Sequence, residues 1–379
     1  MSELCPDGVE FVPLGRVCDI TKGEQINKIN LCKSGTYPVI NGGIKPTGYI
    51  EQYNQEADTI TIAQGGAVGF VNWMDCRFWA GAHCFVLKPR AGIINRFLYY
   101  LMKSREPKIR ALGYGTTIFM MKRSELINFI VPVPPMEVQA ELVSILDKFT
   151  GYIALLNREL NLRKLQYEFY RNKLLTFSNE VRTIALAELF NIRNGYTPSK
   201  RNPAFWKNGS ISWFRMDDIR TNGTILSDSL QHVTPDAVKG RPFPANSLII
   251  STSATIGEHA LITTDFIANQ RFTVLTLKEK YREQFNIMFL YYCCYELGRW
   301  CRKNTHKGSF ESVDMDKFRM FRFPFPPLEL QAKIVHTLNK WGGSHNGLIA
   351  LLGAELAGRK KQYSYYLDKL LNFHTYTQD

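Results

Sequence analysis

"VPVPPMEVQAELVSILDKF", residues 131–149, is echoed by "FPFPPLELQAKIVHTLNKW" at residues 323–341. The paired prolines cannot continue a strand, and they pre-set the backbone for the first turn of a helix. Glu137 follows at the positive end of that helix's dipole. Apolar residues then fall at Val138, Leu142, Ile145, Phe149, Tyr152 and Leu156, a four-three alternation that makes a narrow seam for another helix. The stretch therefore closes one globule and starts a helix of about 40 residues, roughly 60 Å long at 1.5 Å per residue.

The duplication extends outward from this joint. "PLGRVCDITKG" from Pro13 aligns with "ALAELFNIRNG" from Ala185, and "NRFLYYLMKSREPKIRALGYGTT" from Asn95 with "NIMFLYYCCYELGRWCRKNTHKGS" from Asn286. "ALLNRELNLRKLQYEFYRNKLLTF" from Ala154 returns as "ALLGAELAGRKKQYSYYLDKLLNF" from Ala350. So many matches in one order mark two copies of one unit. The boundaries read as a globule at 1–135, a helix at 136–178, a globule at 179–327 and a helix at 328–379. In the second helix "WGGSHNG", from Trp341 to Gly347, breaks the seam and predicts an interruption near 342–347, with Gly151 a milder defect in the first.

Each globule reads as mixed α and β structure. "DTITIAQGGAVGFVNW" and "NSLIISTSATIGEHALI" have the pattern strand, glycine turn, strand, while "INRFLYYLMKSREPKIRAL" has helical spacing. The fold class is α+β: two similar mixed α/β globules in tandem, each followed by a long helix, the helices pairing as an antiparallel coiled coil in a pseudo-two-fold dumbbell.

At 379 residues the chain exceeds one ordinary core, and 45% hydrophobic against 21% charged residues is the profile of a folded protein. The formal charge of +13 favours a polyanionic partner, and nucleic acid is the leading class. Eight cysteines show no metal-site spacing, and the polar start "MSELCPDGVE" and the lack of a long apolar run predict a cytoplasmic, non-membrane protein. His83, Cys84 and Cys76 read as core residues rather than metal ligands, and Cys293, Cys294 and Cys301 as buried thiols.

Catalytic signatures are absent. There is no GxxxxGK[ST] loop to cradle nucleotide phosphates. "NPAF" at Asn202 lacks the second proline of an adenine-methyltransferase loop, and "PDAVK" at Pro235 lacks the second acidic residue of a metal-dependent nuclease, so both read as turns. The residues describe a binder.

Two diverged globules, each introduced by a segment like "PLGRVCDITKG" and closed by one like "GTTIFMMKRSELINFIVPVPP" before a helix containing Glu and Gln, resemble the specificity subunit of type I restriction-modification enzymes over nearly the whole chain. The resemblance implies that each globule reads one half of an asymmetric bipartite site in double-stranded DNA, with the helices setting the gap. It also implies docking of two methyltransferase subunits on the helical region, joined by motor-nuclease subunits. S-adenosylmethionine, ATP and Mg would then belong to those partners, leaving this chain without a cofactor, a metal or a catalytic residue.

Candidate DNA contacts in the first globule are Lys22, Gln25, Asn27 and Lys28, Lys45 in "NGGIKPTG", and Arg110, Tyr114, Thr116, Thr117, Lys122 and Arg123 around "GYGTT". In the second they are Arg193, Asn194, Tyr196, Lys200 and Arg201, then Arg215 and Arg220 in "WFRMDDIR", and Lys303, His306, Lys307 and Ser309 in "KNTHKGS". Base readers and phosphate anchors cannot be separated by residue type alone. Two other readings stay open at this level: a non-catalytic scaffold or adaptor, and a stand-alone DNA methyltransferase or nuclease.

Overall fold

The computed structural model describes residues 8–117, 119–178, 180–306, 311–343 and 347–374, without the side chains of Lys28, Gly342 and Gly343. Two compact units divide the chain. Unit 1 joins residues 1–159 to 353–379, and unit 2 is 160–352, so each long helical region contributes to both.

Unit 1 is built on a four-stranded antiparallel sheet in the order Cys18–Lys22, Cys84–Pro89, Thr59–Ala63, Val71–Met74. A smaller sheet places Tyr37–Ile40 between Gly48–Ile50 and Trp79–Ala80. Unit 2 repeats the plan. Phe190–Asn194, Phe272–Leu277, Ser247–Ser251 and His259–Ile262 form its main sheet, with Ile225–Leu226 added at the edge, and Ile211–Phe214 lies between His232–Val233 and Phe266–Ala268. In each unit a short outer pair ties the start of the globule to its end: Glu10–Pro13 with Ile130–Val133, and Thr183–Ala185 with Arg322–Pro324.

The predicted helix over "INRFLYYLMKSREPKIRAL" is two helices, Asn95–Ser104 and Glu106–Arg110. Pro107 accounts for the break, because it cannot supply the N–H a continuing helix needs and it restricts the residue before it. The counterpart in unit 2 has no proline there and runs unbroken from Ile287 to Lys303.

The central helix, Met136–Leu174, is 39 residues long and passes Gly151 without a break, against the defect expected there. A Cβ at Gly151 would meet nothing, so the glycine marks open surface rather than a bend. The distal region forms Leu328–Leu338, a π-turn at Asn339–Gly343, and then Leu348–Leu370. Residues 344–346 of the expected interruption lie outside the described residues.

Both helical regions are parts of the cores. In unit 1, Leu142 and Leu146 of the central helix and Leu367 and Leu371 of the distal one join Ile20, Ile60, Phe85 and Phe97 in a single buried cluster. Phe149 stacks on Tyr366, and Arg359 lies over the ring of Tyr152, so within this unit the two helices run antiparallel. The seam departs in detail from the expected one. Leu146 is fully buried where Ile145 was expected, and Tyr152 is exposed, with Arg359 against its ring. In unit 2, Tyr167 packs with Ile334, Val335 and Leu338, and Tyr170 meets Trp341.

One polar side chain in each copy sits in this apolar joint. Gln139 is wholly buried; its Oε1 accepts the Ile94 N–H at 2.8 Å, and its Nε2 donates to Pro134 O at 2.9 Å and Gly92 O at 3.0 Å. Gln331, also wholly buried, accepts from Asn286 N at 2.9 Å and donates to Pro326 O at 2.9 Å and Gln284 O at 3.0 Å. Every partner is shifted by the same number of residues. A neighbouring bond is repeated as well: Tyr100 donates to Asp147 Oδ1 at 2.5 Å, and Tyr292 to Asn339 Oδ1 at 2.6 Å. In unit 1 Arg96 adds an ion pair to Asp147 at 2.8 Å and stacks over Trp73.

Replacing Gln139 by Ala would remove three hydrogen bonds and leave the Pro134 carbonyl and the Ile94 N–H without a partner in a largely buried site, a loss of about 2–3 kcal/mol. The Ile94 amide in Gln139→Ala should then exchange with deuterium roughly 30- to 150-fold faster than in the wild type, while amides of unit 2 keep their rates.

Unit 2 also buries His259, with its ring edge-on to Tyr295 and its Nε2 without a hydrogen-bond partner. Burial first, and then the charges of Arg171 and Arg302, hold its pKa down from 6.5 to about 4. The folded state favours the neutral ring, so this stabilisation is full above about pH 6.5 and is lost as the pH falls towards 4. Thermal unfolding should show unit 2 losing about 2 kcal/mol from this group between neutral pH and pH ~5, and His259→Phe should remove that loss.

Candidate nucleic-acid interface

In unit 1, the chain leaves four strand ends at Lys22, Ile40, Ala63 and Ala80 and ties the following segments together by backbone bonds. Gly23 N–H donates to Cys84 O at 2.9 Å, Gly81 N–H to Ile40 O at 2.8 Å, and Gln64 N–H to His83 O at 2.9 Å. Met121 N–H donates to Gln64 O at 2.9 Å, which adds the hairpin of Gly113–Tyr114 and Met120–Met121.

Unit 2 makes the same four bonds. They are Gly195 to Phe272 at 2.8 Å, Asn269 to Phe214 at 2.9 Å, Thr252 to Arg271 at 3.0 Å and Val313 to Thr252 at 2.9 Å. Even a strained backbone position is kept: Gly66 has φ +71°, and its counterpart Ala254 has φ +64°, where a side chain is disfavoured.

This common frame carries different side chains. The residue after the inner strand is Asn41 in unit 1 and Arg215 in unit 2; the next tied segment offers His83 against Arg271, and the hairpin Tyr114 against His306. Asn41 is spent internally, accepting the His83 N–H at 3.0 Å. Arg215 is stacked over Trp213. One scaffold presents two surfaces of different hydrogen-bonding character.

The frame gathers many of the residues singled out from sequence. Lys22, Gln25 and Asn27 are exposed on the segment tied to residues 80–84; Lys45 is exposed in the loop after Ile40; Tyr114, Thr116, Thr117 and Lys122 lie exposed on or beside the hairpin, with the Lys122 ammonium over the Tyr114 ring. In unit 2, Lys200, Arg215 and Arg220 line one recess of about 390 Å³. Lys303 and His306 are exposed at the start of the second hairpin, and Arg201 is exposed beyond Lys200.

Others are engaged within the fold. Arg123 donates to Ile20 O at 2.8 Å, and Tyr196 accepts the Lys239 N–H at 2.8 Å. Arg193 lies over Phe243, and Asn194 accepts from Thr273 at 3.2 Å. Arg110, by contrast, is exposed, on the short helix that crowds Gly69, where an added Cβ would come within 2.7 Å of the Arg110 backbone nitrogen. Lys307 and Ser309 lie outside the described residues, as does the side chain of Lys28.

Sequence reasoning passed over Thr197, Asn269, Gln270 and Arg271, which share the recess with Arg215. The signal was available in "ANQRF": a polar triplet directly after an apolar strand, at the place where the first copy reads "AGAHC". His83 was read as a core residue and is instead exposed on this frame, because its segment turns outward at Gly81. Cys76 is likewise exposed rather than buried. Cys84 and Cys301 are buried, which pushes both thiols up to about 12 and keeps them unreactive. Among the described residues no three metal-binding side chains come together, and no helix is long and apolar enough to cross a membrane.

A family model described as the type I restriction modification DNA specificity domain matches residues 6–163 and again 178–353. The EcoR124I/EcoR124II specificity subunit of Escherichia coli is 30% identical over 401 residues, covering 96% of this chain and 94% of that one. The EcoprrI specificity subunit of Escherichia coli is 56% identical over 202 residues, which span 51% of this chain and 50% of the relative. Among solved structures, the S subunit of a type I restriction-modification system from M. genitalium aligns with a TM-score of 0.61 at 19% identity over 97% of both chains, a likeness of fold. A chain from a structural study of complex assembly and conformational transition in the type I system aligns at 0.64 and 16% identity, over 97% of this chain and 98% of that one. With the family domain present twice, on two copies of one backbone frame, this chain belongs to the type I restriction-modification DNA specificity subunits.

Proposed function

We propose that this chain is the sequence-reading subunit of a type I restriction-modification complex, and that each unit contacts one half of an asymmetric bipartite site in double-stranded DNA. The observation that carries this reading is the repeated backbone frame with unlike side chains, Asn41 against Arg215 and His83 against Arg271. Equal frames place their reading segments equivalently, and unequal side chains read different bases. The formal charge of +13 supplies the attraction to the phosphates that both halves share.

In this proposal the helical segments fix the gap between the half-sites. Two linked readers gain affinity from each other only when the spacing of the halves matches that of the readers. The same segments dock two methyltransferase subunits, and motor-nuclease subunits join them for cleavage. Methyl transfer from S-adenosylmethionine to adenine, and the use of ATP and Mg, belong to those partners; this chain contributes no catalytic residue. Exposed apolar residues on the central helix, Leu155, Leu162, Leu165 and Phe169, support a protein partner on that region. The proposed home of such a complex is the cytoplasm.

Methylated adenines mapped across the genome of cells expressing the chain with its methyltransferase partner should define one motif with two unlike halves and a fixed unread gap. A contiguous motif, a palindrome, or no new methylation contradicts the proposal. The assembled complex should also lose DNA affinity steeply with salt, by roughly 10³-fold or more between about 50 and 200 mM if six or more phosphates are contacted.

A further inference from the structure

The recess in unit 2 is lined by Lys200, Arg215, Arg220 and Arg271 together with Trp213 and Thr197. Three of the four cations are exposed side chains on loops or a helix end, as phosphate anchors commonly are. Arg215 is different. Its backbone N–H is held at 2.6 Å by Oδ2 of Asp218, a wholly buried carboxylate whose Oδ1 takes the Leu230 N–H at 2.6 Å. The guanidinium carbon lies 5.2 Å from the centre of the buried Trp213 ring, and the side chain keeps only 32% of its exposure.

Its ionic neighbour is Asp217, at the long distance of 3.8 Å, and its Nε is buried with no hydrogen-bond acceptor. A charged donor fixed at both ends and left without a full partner is costly in the free protein and ready for an acceptor that enters the recess. The equivalent Asn41 of unit 1 has its acceptor already occupied by the His83 N–H, so the feature belongs to unit 2.

We propose that Arg215 is a base-reading residue that presents two parallel N–H donors to the adjacent O6 and N7 acceptors of a guanine in the half-site read by unit 2. The proposal rests on the DNA-reading function above and narrows it to one residue and one base. Guanine is the base whose major-groove edge offers two acceptors side by side to a planar fork. A lysine carries the same charge and its ammonium can reach the same two acceptors, but it lacks the planar fork that meets both in one fixed orientation. Stacking on Trp213 and bracing by Asp218 hold the fork in a set orientation, which a base contact needs and a phosphate contact does not.

The test uses the full chain in complex with its methyltransferase subunits, as wild type, Arg215→Lys and Arg215→Ala. Methylated sites are mapped, and binding is measured on duplexes in which each base pair of the wild-type motif is replaced in turn. The wild type should discriminate one G·C pair of a single half by roughly 10- to 100-fold; Arg215→Ala should lose that preference and Arg215→Lys should keep a weaker one, both variants still reading the other positions and the whole other half. Retained reading of the other half shows that the variants fold and assemble.

An unchanged motif in Arg215→Ala, or weakening spread evenly over all positions or over both halves, would each overturn the assignment. A wild-type complex that selects no motif overturns the DNA-reading function itself, and this assignment with it.

Discussion

The architecture turns on a buried glutamine at the joint between each globule and its helix. Gln139 and Gln331 spend their amides on three backbone groups: one carbonyl from the proline run at the helix start, and one carbonyl and one N–H from the start of the globule's main helix. The buried proline carbonyl and the N–H would otherwise lack a partner, so the side chain converts a meeting of surfaces into a fixed register. The hydrophobic contacts of Leu142 or Ile334 tolerate sliding; a three-bond amide does not. The orientation of the globule on its own helix follows from that constraint.

A fixed joint lets the exposed frame diverge. The strand ends of each unit are tied by the same four backbone bonds, so Asn41 can give way to Arg215 and His83 to Arg271 with the frame kept. Even Ala254 keeps the left-handed backbone that Gly66 adopts in the first copy, at some strain. Duplication followed by change on such a frame yields two readers from one unit. The repeated tyrosine bond at the joint has diverged as well: Asp147 carries an ion pair with Arg96, whereas Asn339 makes the corresponding tyrosine bond without charge.

Much of this was legible in the sequence because it is local. The paired prolines, the echo at residue 323 and the repeated "FLYY" announced the joint, the two copies and the long helix. What stayed hidden depends on contacts distant in the chain. Nothing local marks Gln139 as buried, and only the fold brings Gly92 and Ile94 to it. The seam phase was misjudged at Ile145 and Tyr152 because burial there is set by the globule and by Arg359 as well as by the partner helix. The recess around Arg215 draws on segments from Thr197 to Phe272, so basic residues could be named but not grouped.

The central claim is that one backbone frame carries two independent readers whose side chains alone make the site asymmetric. It is tested most directly by replacing the globule at 179–327 with a second copy of the globule at 1–135, leaving both helical regions in place, and mapping methylated adenines in cells that also express the methyltransferase partner. The account predicts a new motif whose two halves are identical and match one half of the wild-type site. Retention of the original asymmetric motif would contradict it.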